Sequence, residues 1–224
     1  MARQARSFRA GSTVHVFNRT LGHRHRLKPT AKMRRAIDST LVRLQRRHRM
    51  KILAYAFLSN HFHLVLRIRD TEQLSEFMRD LQSTVAKASY EFFKGPMLFW
   101  EPRYRSQALC TSAAIRRAIR YVVAHGVKEG IVASPTQWPG SHCARQMRDR
   151  ALAPRVRFKR VDGTVQHLVL ELSRHPDDER LPYAEWARRQ AALVTAIEAE
   201  YEGNAFIGLE AVWAIPATWG PQQS

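Results

Sequence analysis

Two apolar runs, Lys51 to Leu58 and His61 to Arg69, are separated only by Ser59-Asn60, and the second opens with His61-Phe62-His63. This stretch constrains the fold most. Two polar residues between apolar runs read as a tight turn joining paired strands. Residues two apart on a strand face the same way, so Phe62, Leu64, Leu66 and Ile68 are expected in the core, with His61, His63 and Arg67 on the other face. A strand therefore offers two imidazoles to one metal ion. Residues four apart on a helix are also neighbours, which puts Tyr121 and His125 on one face of the segment from Arg117 to His125. Brought together, these four residues would make a cation site with a phenol beside it.

The flanking sequence supplies the rest of an α+β domain. Thr13 to Arg19 is β-rich and suits a first strand. Met33, Ile37, Leu41 and Leu44 recur at helical spacing behind Thr30, a suitable N-cap. A second helix is read from Leu74, Phe77, Met78, Leu81, Val85 and Phe92, capped near Asp70 or Thr71 and closed by Gly95-Pro96. Arg103 to Cys110 suits a fourth strand. The order β-α-β-β-α-β is the ferredoxin-like split arrangement, an antiparallel sheet with both helices on one face and the other left open. A third helix is expected from Thr111 or Ser112, packing through Ile115, Ala118, Ile119 and Val122 and ending with Gly126 as C′ residue. The main domain is placed at residues 1–144. In the extension, residues 145–224, Val165 to Leu172 reads as a strand or short buried segment, Tyr183 to Tyr201 as an amphipathic helix, and Phe206 to Trp213 as an apolar segment.

Charge narrows the class of partner. The formal charge is +18, which points to a polyanion more than to a small neutral substrate. It is concentrated early: up to Lys51 there are 15 Lys and Arg against one acid, whereas from Ala151 onward there are 8 against 10. Arg3, Arg6, Arg9, Arg19, Arg24, Arg26, Lys28, Arg67 and Arg103 are the candidate phosphate contacts, with Lys32, Arg34 and Arg35 beside them. A run of about 18 apolar residues and an apolar signal core are both missing, so a soluble, cytoplasmic protein without membrane contact is expected. Cys110 and Cys143 are read as reduced thiols.

Four segments together resemble the single-tyrosine HUH transposases, and among them most closely the REP-associated tyrosine transposases. They are Val14-His15-Val16-Phe17-Asn18-Arg19, the stretch from Tyr55 to Leu64, Phe99-Trp100-Glu101-Pro102-Arg103-Tyr104, and the stretch from Tyr121 to Gly130. Their order matches across about residues 10 to 142. The resemblance implies a ferredoxin-like nuclease fold that cleaves single-stranded DNA next to a hairpin and links a tyrosine to the 5′ phosphate before strand transfer to a new 3′ hydroxyl. It also implies Tyr121 as nucleophile, His61, His63 and His125 as metal ligands, Mg²⁺ or Mn²⁺ as the ion, and single-stranded or hairpin DNA as the partner, with a homodimer among the expected assemblies. This sequence departs from the family pattern in carrying His125 where Asn or Gln is usual, and Gly126 where the family has proline.

The residue chemistry agrees with that assignment. A tyrosine phenol, with a pKa of about 10, is mostly protonated at neutral pH and needs help to attack phosphorus. A cation on three imidazoles leaves positions for phosphate oxygens. No glycine-rich phosphate loop is present, in keeping with two phosphoryl transfers that conserve the diester energy. Taken singly, each feature has a plainer reading: surface histidines, a core tyrosine, a histidine complementing a helix C-terminus. A nucleic-acid-binding protein derived from such a transposase but without catalysis is the alternative. His15 suits either the site or the core, and His23 and His25 read as turn residues. Trp100 and Trp138 are expected in the core rather than stacked on bases.

Overall fold

The hairpin formed by the two apolar runs is the centre of the sheet. A computed structural model describes residues 7–90, 98–159 and 161–215. Phe92 and Gly95-Pro96, expected to close the second helix, lie outside the described residues, as do Arg3 and Arg6. Strand β1 (Thr13–Arg19) is followed by α1 (Ala31–His48), β2 (Lys51–Phe57), β3 (His61–Arg67), α2 (Thr71–Tyr90) and β4 (Arg105–Ala108). The sheet is antiparallel, in the order β2-β3-β1-β4. That is the split ferredoxin-like arrangement, in an α+β protein.

Local chemistry explains the boundaries. Thr30 Oγ1 accepts from Met33 N at 3.0 Å at the start of α1, and Met33, Ile37, Leu41 and Leu44 are buried along it. Asp70 Oδ1 accepts from Gln73 N at 2.7 Å and caps α2. Gln73 Nε2 in turn donates to His48 O, tying the start of α2 to the end of α1. Phe62 meets Trp100 edge to face, and Trp100 Nε1 donates to Gln82 O of α2, so this side of β3 faces the helices. The fourth strand is shorter than expected, since only Arg105–Ala108 pair with β1.

The second face of the sheet is not open. Helix α3 (Ser112–Lys128) packs across β2 and β3 there. Its expected end is corrected. The helix runs through Gly126 to Lys128, and the positive φ falls at Gly130. Gly126 serves close approach instead, because a Cβ there would stand 3.3 Å from Val132 Cγ2. Trp138 is buried, and its Nε1 donates to Phe57 O at 2.8 Å. A Cβ at Gly140 would lie 2.4 Å from that same nitrogen.

The extension shares the main core. Helices α4 (Ala144–Arg148), α5 (Tyr183–Glu200) and α6 (Gly208–Ala214) and a hairpin of β5 (Arg155–Lys159) and β6 (Val165–Val169) make it up. Val156, Leu168, Leu170, Val194 and Ile197 join the apolar cluster that contains Val14, Leu64 and Val122. Cys110 is exposed and Cys143 buried, and both are free thiols. No helix among the described residues is long and apolar enough to cross a membrane.

One partly buried carboxyl makes this packing pH-sensitive. Burial raises the pKa of Asp38 to about 6, against the opposing hydrogen bond from Ser141 Oγ and the charges of Arg34 and Arg145. A carboxyl with a raised folded-state pKa contributes stability below the unfolded value, and loses it as pH rises through the folded value. Asp38→Asn keeps the acceptor for Ser141 and removes the charge. Thermal unfolding should show its Tm about 4 °C above the parent at pH 8, with the gap closing as pH falls from 6 to 4; an equal gap at both ends would contradict the assignment.

Candidate metal and tyrosine centre

His61 and His63 project from the same side of β3, as period-two geometry demands, and α3 brings His125 down onto them. One ligand atom from each of the three lies within 4.8 Å of the others. His61 Nε2 and His125 Nε2 are 2.6 Å apart, hydrogen-bond distance, so one of the two imidazoles donates to the other. The ring centroids of His63 and His125 are 4.3 Å apart. Tyr121, one turn before His125, has its ring centroid 5.0 Å from that of His125 and 5.3 Å from that of His63. All four rings belong to one chain.

Burial sets the protonation of the cluster. His63 and His125 are 6% and 2% exposed. Desolvation lowers His61 to about 4 and His125 to about 3, with neighbouring cationic groups adding to the effect, and holds His63 well below the usual imidazole range. All three are therefore neutral at neutral pH, the form that coordinates metal. Burial also raises Tyr121 above the ordinary phenol value; Glu129 adds to this and Arg19 opposes it.

Outer contacts aim the rings. Asn60 Oδ1 accepts from His61 Nδ1 at 2.6 Å, which places the proton on Nδ1 and leaves the Nε2 lone pair facing His125. His63 Nδ1 is engaged with His15 Nε2 at 3.0 Å, leaving His63 Nε2 for the cluster. His125 Nδ1 is buried and has no hydrogen-bond partner among the described residues. A set of neutral, preoriented nitrogen donors with an unsatisfied buried atom fits a divalent cation.

The sequence left Asn60 unassigned, although it directly precedes His61. Lys128 was also unassigned, and its Nζ stands 4.6 Å over the Tyr121 ring centroid. Lys128 is seven residues from Tyr121, two turns along one helical face, and that spacing was the available signal. His15, left between two readings, stands beside the cluster.

Around these rings lies a cavity of about 690 Å³ bordered by Arg19 and Arg105 and, from the extension, by Ile207 and Val212. The other candidate DNA contacts are scattered. Arg9 is exposed, and Lys28 Nζ donates to Trp213 O. Arg67 pairs with Glu179. Arg24 and Arg103 are surface residues with partners of their own. Arg26 is a correction: it is buried, donates to Leu98 O at 2.7 Å and lies over Phe99, so its guanidinium is committed to packing. His23, in the turn after β1, pairs with Glu101 at 3.3 Å.

Asn60 yields the sharpest test of this orientation. Asn60→Ala should lower Mn²⁺ affinity by about tenfold or more, measured by titration calorimetry, while Asn60→Asp, which keeps the acceptor, should retain it. Equal affinity in all three proteins would show that Asn60 does not orient His61.

The chain is similar to known proteins in sequence family and in fold. The family described as IS200-like transposase matches residues 11–125. In overall fold the chain is similar to a solved structure of a REP-associated tyrosine transposase bound to a REP hairpin, at 19% identity and a TM-score of 0.56, covering 69% of this chain and 89% of that one. A solved structure from Deinococcus radiodurans matches at 16% identity and a TM-score of 0.38, over 52% of this chain and 92% of that one. No curated protein matches the sequence.

Proposed function

The chain belongs to the IS200-like transposase family, and from this premise we propose that it is a divalent-metal-dependent endonuclease and strand transferase for single-stranded DNA, with Tyr121 as nucleophile. The observation that carries the reading is the convergence of three neutral imidazoles, within 4.8 Å of one another, beside that phenol. Hairpin-flanked DNA is the proposed substrate, since the similar fold has been solved with a REP hairpin bound.

In this reading His61, His63 and His125 hold the cation, which supplies Lewis acidity toward the scissile phosphate when bound. The chain's own groups do the rest. Tyr121 Oη forms a bond to phosphorus as the bond from phosphorus to the 3′ oxygen breaks; the phenolic proton leaves to solvent and the departing oxygen takes one up. Attack on the phosphotyrosine by another 3′ hydroxyl reverses those changes and reseals the strand, so no nucleotide cofactor is consumed. Arg19 opposes the rise in the phenol's pKa and so favours the developing phenolate. Lys128, over the ring, adds a second positive charge near the phenol.

The experiment is to incubate the protein with an end-labelled single-stranded hairpin from its own gene flanks and Mn²⁺, and to resolve the products on a denaturing gel beside Tyr121→Phe. A label carried at protein mass, lost in the variant and in chelator, is the expected result. Cleavage that persists in Tyr121→Phe without an adduct would mean water, not Tyr121, is the nucleophile. Binding without cleavage by the parent would identify a non-catalytic DNA-binding protein.

A further inference from the structure

The end of the sheet away from the imidazoles carries a second concentration of charge. Lys51 and Arg67 stand directly opposite one another in the β2–β3 register. With Arg49 and Arg69 they line a groove of about 320 Å³. Arg49 and Lys51 also line a wider trough of about 740 Å³, to which Arg46 and Arg174 contribute. Like charges placed opposite one another across strands repel. Their neutralisation within the protein is incomplete: Glu179 pairs with Arg67 and Asp70 with Arg69, while among the described residues no carboxylate pairs with Arg46, Arg49 or Lys51. Glu171 and Glu179 are the acids on the trough.

Arg49 sharpens the point. It ends α1 with φ +50°, in the left-handed region where glycine is the least strained residue. An arginine there is unfavourable for the backbone and places a cation where both grooves meet.

We infer that these joined grooves hold the phosphodiester backbone of a duplex stem, on the same DNA whose unpaired strand enters the Tyr121 cavity. This deepens the transposase reading and rests on it. The lining favours a duplex over a single strand, and the distance to the rings suits a stem. Neither groove is lined by Phe, Tyr or Trp, and single strands are usually held by bases stacked on aromatic side chains. From His61 to Arg67 the strand advances about 20 Å at ~3.3 Å per residue, close to the length of six base pairs at ~3.4 Å each. The groove thus lies about a half-turn of duplex from the rings.

The test measures binding by fluorescence anisotropy at 50 to 200 mM salt, as roughly the range over which phosphate contacts are resolved. The probes are a hairpin with a long stem and an unstructured strand carrying the same cut site. The proteins are the full chain, Arg49→Gly, and Arg49→Gly combined with Lys51→Gln. Arg49→Gly relieves the left-handed arginine, so its Tm should not fall, and any loss of binding is then not a loss of fold. The expected result is about tenfold weaker binding of the hairpin by the double variant, with the slope of log K against log salt shallower by about 2, and unchanged binding of the unstructured strand. Unchanged hairpin affinity and slope would overturn the proposal while leaving Tyr121 adduct formation by the parent intact. Equal losses on both probes would make the groove a single-strand site and overturn it too. Failure of the parent to bind either DNA would instead remove the transposase reading itself.

Discussion

The position of α3 on the β2–β3 face is the constraint from which the site follows. Without that helix, His61 and His63 would be two strand histidines in contact with water. Covered by it, they lose hydration, fall to the neutral state and meet a third imidazole and a phenol from the same helical face. Desolvating three imidazoles costs free energy. A structure that keeps them clustered, with the distal nitrogens of His61 and His63 occupied by Asn60 and His15, concentrates lone pairs where a cation can use them.

The extension helps hold that helix. Asp178 is buried and receives Arg116 of α3 and Arg189 of α5, while Arg120 of α3 pairs with Glu200. A buried carboxylate between two guanidiniums is costly to break, since removing one partner leaves charge unsatisfied away from water. Residues 145–224 therefore bear on the site through the helix that carries Tyr121, and through the wall formed by Ile207 and Val212. Their near balance of charge suits this bracing role.

Much of this was legible in the sequence because local rules and burial agreed. The His61-x-His63 alternation, the Thr30 cap, the stripe from Met33 to Leu44 and the Ser59-Asn60 turn each specify an element without reference to the rest of the chain. The family resemblance added the pairing of that strand with Tyr121 and His125. What escaped was set by tertiary approach. Gly126 looks like a helix stop in sequence, yet Val132 needs the space that its missing side chain leaves. Arg26 looks like a phosphate contact within a basic run, yet Leu98 O and Phe99 draw it inside. Strand β5, Arg-Val-Arg-Phe-Lys, is too short and basic to stand out, and becomes a strand only by pairing with β6. The cover over the histidine face was hidden because it is built from residues some fifty positions further along.

The proposed chemistry rests on the three imidazoles holding one cation beside the phenol. A crystal of the full chain soaked in Mn²⁺, with data collected at the manganese edge, addresses it directly. One anomalous peak bonded to a nitrogen of each of His61, His63 and His125, on the side of the rings that faces Tyr121, is the expected result. A peak held by other residues, or imidazoles that still contact one another at saturating Mn²⁺ with no ion between them, would contradict it.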